Sequence, residues 1–397
     1  MRRLLCVLLM VIAATEARAA PSGQRFAAIA LHDVVDRPAD LGVDSITTAT
    51  LVQFFDWLKG AGWTVVSLDD LSGAASGRRR LPDKAILLTF DDGYESLYAR
   101  VFPLLKAYHY PAVAGLVGSW MEDNPDGKVL WGDKRAPRTM FVSWAEAREM
   151  QASGLVEFAS HTYDHHHFIQ ANPQGNLVGA IATWRYDPVS RRYEDDDQYT
   201  ARIRADLLRS AEVMQAQLGR RPRAIIWPYG RYTGPALNVA KQLGYSVGLT
   251  LITAPADTSA LDAIPRLYAS DSPTLGDLVR NLRFEPERPQ TLRIACLSLD
   301  AVAAAGDNAA QDKALGRIIE DLRTLGANTV VIDAGAATSS ATAPLAEVYF
   351  PTPLLPLRED LLGRATWQIR ARLGADIFLH LPLAPAALAV GPQNTPR

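Results

Sequence analysis

The chain has 397 residues, more than the roughly 100 to 200 that are typical of one domain, so we expect one large domain and a smaller one. Hydrophobic residues make up 48% and charged residues 21% of the chain, which excludes a disordered or collagen-like protein. The formal net charge of −2 provides no basic field for binding phosphates, so nucleic acid is not an expected partner.

Residues 1–19 have the pattern of a cleavable export signal. Arg2 and Arg3 precede an apolar run at residues 4–14, and the small residues of Ala17-Arg18-Ala19 follow as a cleavage site. We therefore predict a periplasmic or secreted protein, with a retained membrane anchor as the alternative. No later apolar stretch is long enough to span a bilayer, so no integral membrane segment is expected.

Between residues 25 and 282, short apolar runs alternate with stretches of helical periodicity, which is typical of a parallel α/β architecture. About seven or eight such units would close into a barrel. The predicted strands are residues 26–31, 85–90, 112–117, 156–160, 224–227 and 246–251, and the predicted helices are residues 50–61, 95–108 and 199–218.

Residues 283–290, with two prolines among charged side chains, are predicted to be a linker. A second α/β unit begins after it. Its predicted strands are residues 292–299, 329–332 and 376–381, and its predicted helices are residues 313–325 and 360–373. The sequence thus predicts a main domain over residues 20–282 and a second one over residues 291–397, which are too few for another complete barrel.

Two adjacent carboxylates, Asp91 and Asp92, directly follow the predicted strand 85–90, and Gly93 permits a tight turn after them. In a barrel, the carboxyl ends of the strands form the rim of the active site. One carboxylate can bind a metal there while the other removes a proton from a water molecule. A helix N-cap and a turn residue are the alternative for this pair taken alone.

Four of the seven histidines lie within residues 161–167, again directly after a predicted strand. Imidazoles together with a carboxylate make a site of the zinc type. His161 and His165 can share one face of a helix, whereas His161 and His166 converge only in a curved loop, the expected context after a strand. A solvated histidine run is the alternative.

The runs Thr89-Phe-Asp-Asp-Gly93 and Ser160-His-Thr162 resemble the signature of the polysaccharide deacetylases (NodB homology, carbohydrate esterase family 4). Residues 161–166, 171–176 and 227–230 are similar to a subgroup, the periplasmic poly-β-1,6-N-acetyl-D-glucosamine N-deacetylases of biofilm systems. The likeness covers residues 25–282. It implies a distorted (β/α) barrel of the NodB type that hydrolyses acetamido groups of an N-acetylglucosamine polymer and releases acetate.

The resemblance also implies roles for individual residues. Asp92, His161 and His166 match the ligands of a divalent metal, which would be zinc, nickel, cobalt or iron, and Asp91 matches the catalytic base. His32, at the end of the first predicted strand, matches the acid histidine of a circularly permuted arrangement in which this residue comes first. On its own, a histidine after an apolar strand is more often a core residue.

After the runs at residues 89–93 and 160–162, a third family motif lies at residues 227–230, and it supplies the remaining expectations. The backbone N–H of Tyr229 is expected to help stabilise an oxyanion, and the substrate-binding candidates are Tyr163, Trp227 and Pro228. Core packing is the alternative for the aromatic rings.

One departure from the family pattern concerns an arginine that would orient the base. Ile226 precedes the third motif where the family has an arginine, and Arg266 is a conceivable substitute, with a surface arginine as the alternative.

The second unit resembles the beginning of a glycoside-hydrolase-like barrel, at residues 297–300, 349–351 and 358–361. Residues 334–340 lack the acidic side chains that we expect there, so a partial domain without glycosidase activity is predicted. The expected partners are an N-acetylglucosamine polysaccharide and the exopolysaccharide export machinery. The alternatives are a deacetylase of chitin oligomers or peptidoglycan, and a non-catalytic polysaccharide-binding or export protein.

Overall fold

The computed structural model describes residues 23–42, 44–122, 126–132, 134–269, 274–284, 291–336 and 345–381. The predicted export signal and most of the predicted linker lie outside these ranges. Within them, no helix combines the length and the apolar character that crossing a membrane requires.

The strands of the N-terminal unit, residues 23–284, are β1 (Arg25–Leu31), β2 (Asp33–Val35), β3 (Ser45–Thr47), β4 (Thr64–Val65), β5 (Ala85–Phe90), β6 (Ala112–Leu116), β7 (Lys128–Trp131), β8 (Lys134–Pro137), β9 (Val156–Ser160), β10 (Phe168–Gln170), β11 (Leu177–Gly179), β12 (Tyr186–Asp187), β13 (Arg192–Tyr193), β14 (Ala224–Ile226), β15 (Val247–Leu249), β16 (Ala256–Asp257) and β17 (Leu267–Tyr268). The helices are α1 (Thr48–Gly60), α2 (Leu68–Ala75), α3 (Phe102–Tyr108), α4 (Trp144–Ala152), α5 (Asp196–Leu218), α6 (Gly234–Gln242) and α7 (Leu275–Leu282).

A nine-stranded sheet forms the centre of this unit, in the order β15-β14-β9-β6-β5-β1-β16, with β17 also paired to β1 and β4 paired to β5. All its pairings are parallel except that of β1 with β16. A single parallel bridge between Leu249 and Ile264, just before β17, closes the ring. The predicted distorted (β/α) barrel is confirmed.

Burial explains why these segments form strands and helices. All six residues of β5 are buried, as expected for a strand that is covered on both faces. Helix α1 buries Leu51, Phe54, Phe55 and Leu58, whose spacing of three and four residues forms one apolar stripe.

The C-terminal unit contains β18 (Ile294–Ser298), β19 (Thr329–Asp333) and β20 (Asp376–His380), with α8 (Asp300–Ala303), α9 (Asn308–Thr324) and α10 (Leu362–Leu373). Its strands form a parallel sheet in chain order, with β19 in the middle. Buried residues such as Leu315 and Ile319 of α9 and Ile369 of α10 share a core with Ile332 of β19. This is the partial second α/β unit that the sequence predicts.

Two local expectations differ from the structure. The predicted helix 95–108 begins as a π-helical turn over Leu97–Val101 and becomes α-helical only at Phe102, where Pro103 occupies the first turn and lacks a donor. The antiparallel hairpins β7-β8, β10-β11 and β12-β13 are absent from the prediction because each strand has only two to four residues.

Candidate metal centre and active site

The candidate site lies at the rim of the barrel where parallel strands end. His32 follows β1, Asp91 and Asp92 follow β5, and His161 follows β9. The ends of β1 and β5 are adjacent, because the Asp91 backbone N–H donates to the Leu31 carbonyl over 2.8 Å. Residues that are far apart in sequence therefore meet at one edge of the sheet.

Asp92, His161 and His166 form a cluster whose candidate ligand atoms all lie within 4.8 Å of one another. The Asp92 Oδ1 atom is 3.3 Å from Nε2 of both His161 and His166. His161 donates from Nδ1 to the Ile226 carbonyl oxygen over 2.7 Å, which leaves its Nε2 directed at the cluster. The structure thus brings His166, and not His165, to Asp92.

The cluster fits a divalent cation. Asp92 Oδ1 is buried and has no hydrogen-bond partner within the part of the chain that the structure describes, and such an atom is costly without a ligand. One carboxylate with two imidazoles is a donor set that suits zinc, nickel, cobalt or iron. The residues can therefore hold a metal, and His166 is the partly exposed member of the set.

Electrostatics favour the cation-binding forms of two members of the cluster, Asp92 and His166. Burial opposes ionisation of Asp92, but His166 and His161 outweigh it and hold the pKa of this carboxyl below its usual range. Burial lowers the pKa of His166 to about 4, so its imidazole is neutral at neutral pH. Burial also disfavours charge on His161, but the contact with the Asp92 carboxylate, 3.3 Å away, outweighs it and raises the pKa of His161. Metal binding releases a proton held in this way.

Backbone strain is concentrated at the site. Six non-glycine residues have positive φ within the described ranges, and three of them are Asp92 (φ 71°), Thr162 (φ 72°) and Tyr229 (φ 57°). Each such conformation costs about 1 to 3 kcal/mol and persists only where the surrounding structure enforces it.

Arg266 forms a bidentate ion pair with Asp91. Its Nη1 donates to Oδ1 over 2.6 Å and its Nη2 to Oδ2 over 2.8 Å, and the arginine is 0% exposed. The alternative of a surface arginine is therefore wrong. Burial alone would raise the pKa of Asp91, but Arg266 and His32 outweigh it and hold the pKa below its usual range. Asp91 is thus an ionised carboxylate with a fixed orientation.

His32 lies beside Asp91, with its Nε2 atom 3.7 Å from Asp91 Oδ2. Its ring packs edge-on against Tyr268 at a centroid distance of 5.3 Å. The histidine predicted from the start of the chain and the carboxylates after β5 therefore share one side of the site.

His165 faces away from the metal cluster, towards Asp206 of α5. Its Nδ1 atom lies 2.6 Å from Asp206 Oδ2, and the same carboxylate accepts the backbone N–H groups of Tyr163 and Asp164 over 2.9 and 2.8 Å. Asp206 is buried, and no motif in the sequence marks it as part of the site. The one feature of the sequence that could have indicated its role is its position inside the predicted helix, directly before Leu207 of the apolar stripe.

Two of the residues predicted to bind substrate have buried side chains. Trp227 is 0% exposed and stacks on Tyr232, so core packing accounts for it, and Pro228 is buried as well. The partly buried Tyr163 packs under the guanidinium of Arg209 of α5, whose central carbon lies 5.3 Å from the ring centroid. Of the predicted residues, Tyr229 does reach the cluster, with its ring 4.7 Å from that of His166.

We expect His166→Ala to abolish stoichiometric metal binding and His165→Ala to retain it, because only the first imidazole faces Asp92. Metal content measured by mass spectrometry after dialysis against zinc or cobalt compares the two variants. Retention by the first variant together with loss by the second would contradict the assignment.

We also expect Asp206→Ala to weaken metal affinity by roughly 10 to 100-fold, since removing a group that orients metal ligands typically has this effect. Competition with a chelator measures the affinity, and the visible spectrum of the cobalt-loaded protein reports the ligand geometry. Asp197→Ala, an exposed residue of the same helix, is the matched control. Unchanged affinity and spectrum would show that Asp206 does not position the loop.

Comparisons with known proteins follow the same division of the chain. Residues 78–248 match the model of the polysaccharide deacetylase family, and residues 297–394 match that of the hypothetical glycosyl hydrolase family 13. A protein of Escherichia coli K12 named poly-beta-1,6-N-acetyl-D-glucosamine N-deacetylase is 37% identical over 360 residues, which are 90% of this chain and 53% of that protein. The chain thus spans about half the length of the curated relatives that it matches.

Two solved structures are also similar. A de-N-acetylase from Aggregatibacter actinomycetemcomitans is 37% identical with a TM-score of 0.59, and the match covers 62% of this chain and 95% of the other. The BpsB deacetylase domain from Bordetella bronchiseptica is 38% identical with a TM-score of 0.55, and the match covers 61% and 94%. With this identity over nearly the whole of both solved chains, the protein belongs to the polysaccharide deacetylase family.

Proposed function

We propose that this protein is a divalent-metal-dependent N-deacetylase of a poly-β-1,6-N-acetyl-D-glucosamine exopolysaccharide. The observation that carries the proposal is the pairing of a buried Asp-His-His cluster with a separate carboxylate, Asp91, that Arg266 holds by both oxygens. The names of the similar proteins support the substrate. The export signal predicted in residues 1–19 supports a periplasmic or secreted location.

Asp92, His161 and His166 are the proposed metal ligands, and a divalent cation supplies Lewis-acid activation of water and of the amide carbonyl. Asp91 accepts the proton of the attacking water. Because Arg266 fixes both carboxylate oxygens, the acceptor atom does not need to reorient when the substrate binds.

His32 is the proposed acid that protonates the departing amine. It lies on the Asp91 side of the site, and an imidazole can carry a proton near neutral pH and give it up again. The backbone N–H of Tyr229 is the proposed donor to the oxyanion that forms at the amide carbon. Tyr163, which is partly exposed, stays a proposed substrate-binding residue. The buried side chains of Trp227 and Pro228 are assigned no step in this scheme.

Each turnover exposes an amine, so a neutral polymer becomes partly cationic. An exopolysaccharide export machinery that receives the cationic form is the proposed partner. For the C-terminal unit we expect no glycosidase activity. That chemistry needs two suitably spaced carboxylates, and the sequence at residues 334–340 lacks the acidic residues expected there.

Asp91→Asn should retain bound metal and lose on the order of 10² to 10⁴-fold in kcat, the usual contribution of a positioned base. Released acetate and metal content are measured on the same preparation. Near-normal turnover by the variant would remove Asp91 from the mechanism.

His32→Ala should slow hydrolysis of an N-acetylglucosamine oligomer far more than that of an activated aryl acetate, whose leaving group departs without a proton. The ratio of kcat/KM for the two substrates provides the test. Equal losses on both would mean that His32 packs or positions and does not donate a proton.

The function itself is tested by incubating the metal-loaded protein with defined β-1,6 and β-1,4 N-acetylglucosamine oligomers and measuring the amine released. We expect release from the β-1,6 series and loss of that release after chelation. Preference for the β-1,4 series would favour chitin or peptidoglycan as substrate, and binding without release from either series would favour a non-catalytic polysaccharide-binding protein.

A further inference from the structure

An aromatic path leads outwards from the metal cluster. The His166 ring lies 4.7 Å from the Tyr229 ring, and the Tyr229 ring stacks on that of Phe168 at a centroid distance of 4.5 Å and an interplanar angle of 23°. Phe168 begins β10, two residues after His166. The position of the Phe168 ring relative to the cluster is therefore fixed both by the short chain segment after His166 and by the stack on Tyr229.

The β10-β11 hairpin fixes the position of the Tyr229 ring. Phe168 pairs with Gly179, and a Cβ atom on Gly179 would lie only 2.9 Å from Cδ2 of Tyr229. The absence of a side chain at Gly179 allows the tyrosine ring to pack against the hairpin. The left-handed backbone of Tyr229 directs its ring to this place, so the stack is built into the fold.

Phe168 is 48% exposed although one side of its ring is covered by Tyr229. Leu177 is 59% exposed and pairs with Gln170, so it shares a face of the hairpin with Phe168, because side chains two residues apart point the same way. The hairpin thus presents an apolar surface to solvent beside a polar site. Exposed apolar side chains at the edge of a site are typical of a ligand-binding surface.

We propose that Phe168, supported by Tyr229, binds the pyranose ring of the hexosamine unit next to the one that is deacetylated. The inference rests on the proposed function. A β-linked pyranose has a face of axial C–H groups that packs on an aromatic ring, while its hydroxyl and acetamido groups at the edge stay hydrated. Phe168, stacked on Tyr229, is exposed and can pack against a sugar ring, whereas the side chain of Trp227 is buried.

The test compares Phe168→Ala with Phe378→Ala, a matched substitution of a phenylalanine that is 60% exposed on β20 in the C-terminal unit. For a β-1,6 N-acetylglucosamine pentamer, the first variant should raise KM roughly tenfold with little change in kcat, the equivalent of one lost stacking contact. The control should match wild type. Metal content should be unchanged in both variants, and the control should also match wild type in hydrolysis of an aryl acetate.

Two further measurements separate stacking from a structural effect and from failure of the proposed function. Phe168→Trp should have the wild-type KM because it keeps a planar aromatic ring. Phe168→Leu should show the raised KM of Phe168→Ala, because its side chain is apolar but not planar. Calorimetric binding of the pentamer to the metal-loaded protein tests the platform even if no amine is released by wild type, a result that would refute the proposed function. Equal KM and equal pentamer affinity in wild type and Phe168→Ala would overturn the platform while leaving the deacetylase proposal intact.

Discussion

The buried ion pair between Asp91 and Arg266 fixes the position of the carboxylate beside the candidate metal cluster and links it to the last strand of the barrel. Asp91 follows β5 and Arg266 precedes β17, and β1 lies between these two strands in the sheet. The guanidinium also donates to the Thr89 hydroxyl and to the Thr250 carbonyl. One side chain therefore joins three segments of the barrel rim, and an uncompensated buried charge would cost about 3 to 5 kcal/mol if either partner were removed.

Helix α5 gives the histidine loop a second fixed support. Asp206 holds the loop through two backbone N–H groups, and Ser210, one turn later, lies with its Oγ 2.7 Å from that of Ser160 at the end of β9. Side chains four residues apart share one face of a helix, so a single helix holds both the strand end and the loop. The spacing of His161 and His166 is thus supported from outside the candidate metal cluster.

The sequence alone predicts the features that depend on residues close together in the chain. Mostly apolar runs such as residues 85–90 identify the barrel strands, and the carboxylates and histidines directly after them identify the rim. The contacts that decide the roles of Arg266 and Asp206 are not local. Arg266 meets a partner 175 residues away, and Asp206 contacts a loop about 42 residues before it, so no spacing rule reports either.

The sequence also does not reveal which aromatic residues are buried and which are exposed. A tryptophan beside a family motif gives no sign of its depth, and Trp227 lies in the core cluster of α5 and α6, whereas Phe168, which matches no motif, is exposed. Burial depends on which elements cover a position. That is a property of the assembled barrel, and the hairpins that cover or frame the site have strands too short to give a periodic signal.

The adjacency of the first and last strands has a consequence for how the protein becomes active as it folds from its N-terminus. All three members of the metal cluster lie before residue 170, whereas Arg266 and β17 come almost 100 residues later. Long-range parallel pairing of this kind forms slowly, because the intervening chain must first be ordered. The cluster can therefore assemble in a partly folded chain whose β1 still has an open edge and whose Asp91 has no guanidinium partner. We expect such an intermediate to capture the proposed metal ion before Asp91 can act as the proposed base, so the proposed hydrolysis would be confined to molecules whose barrel has closed.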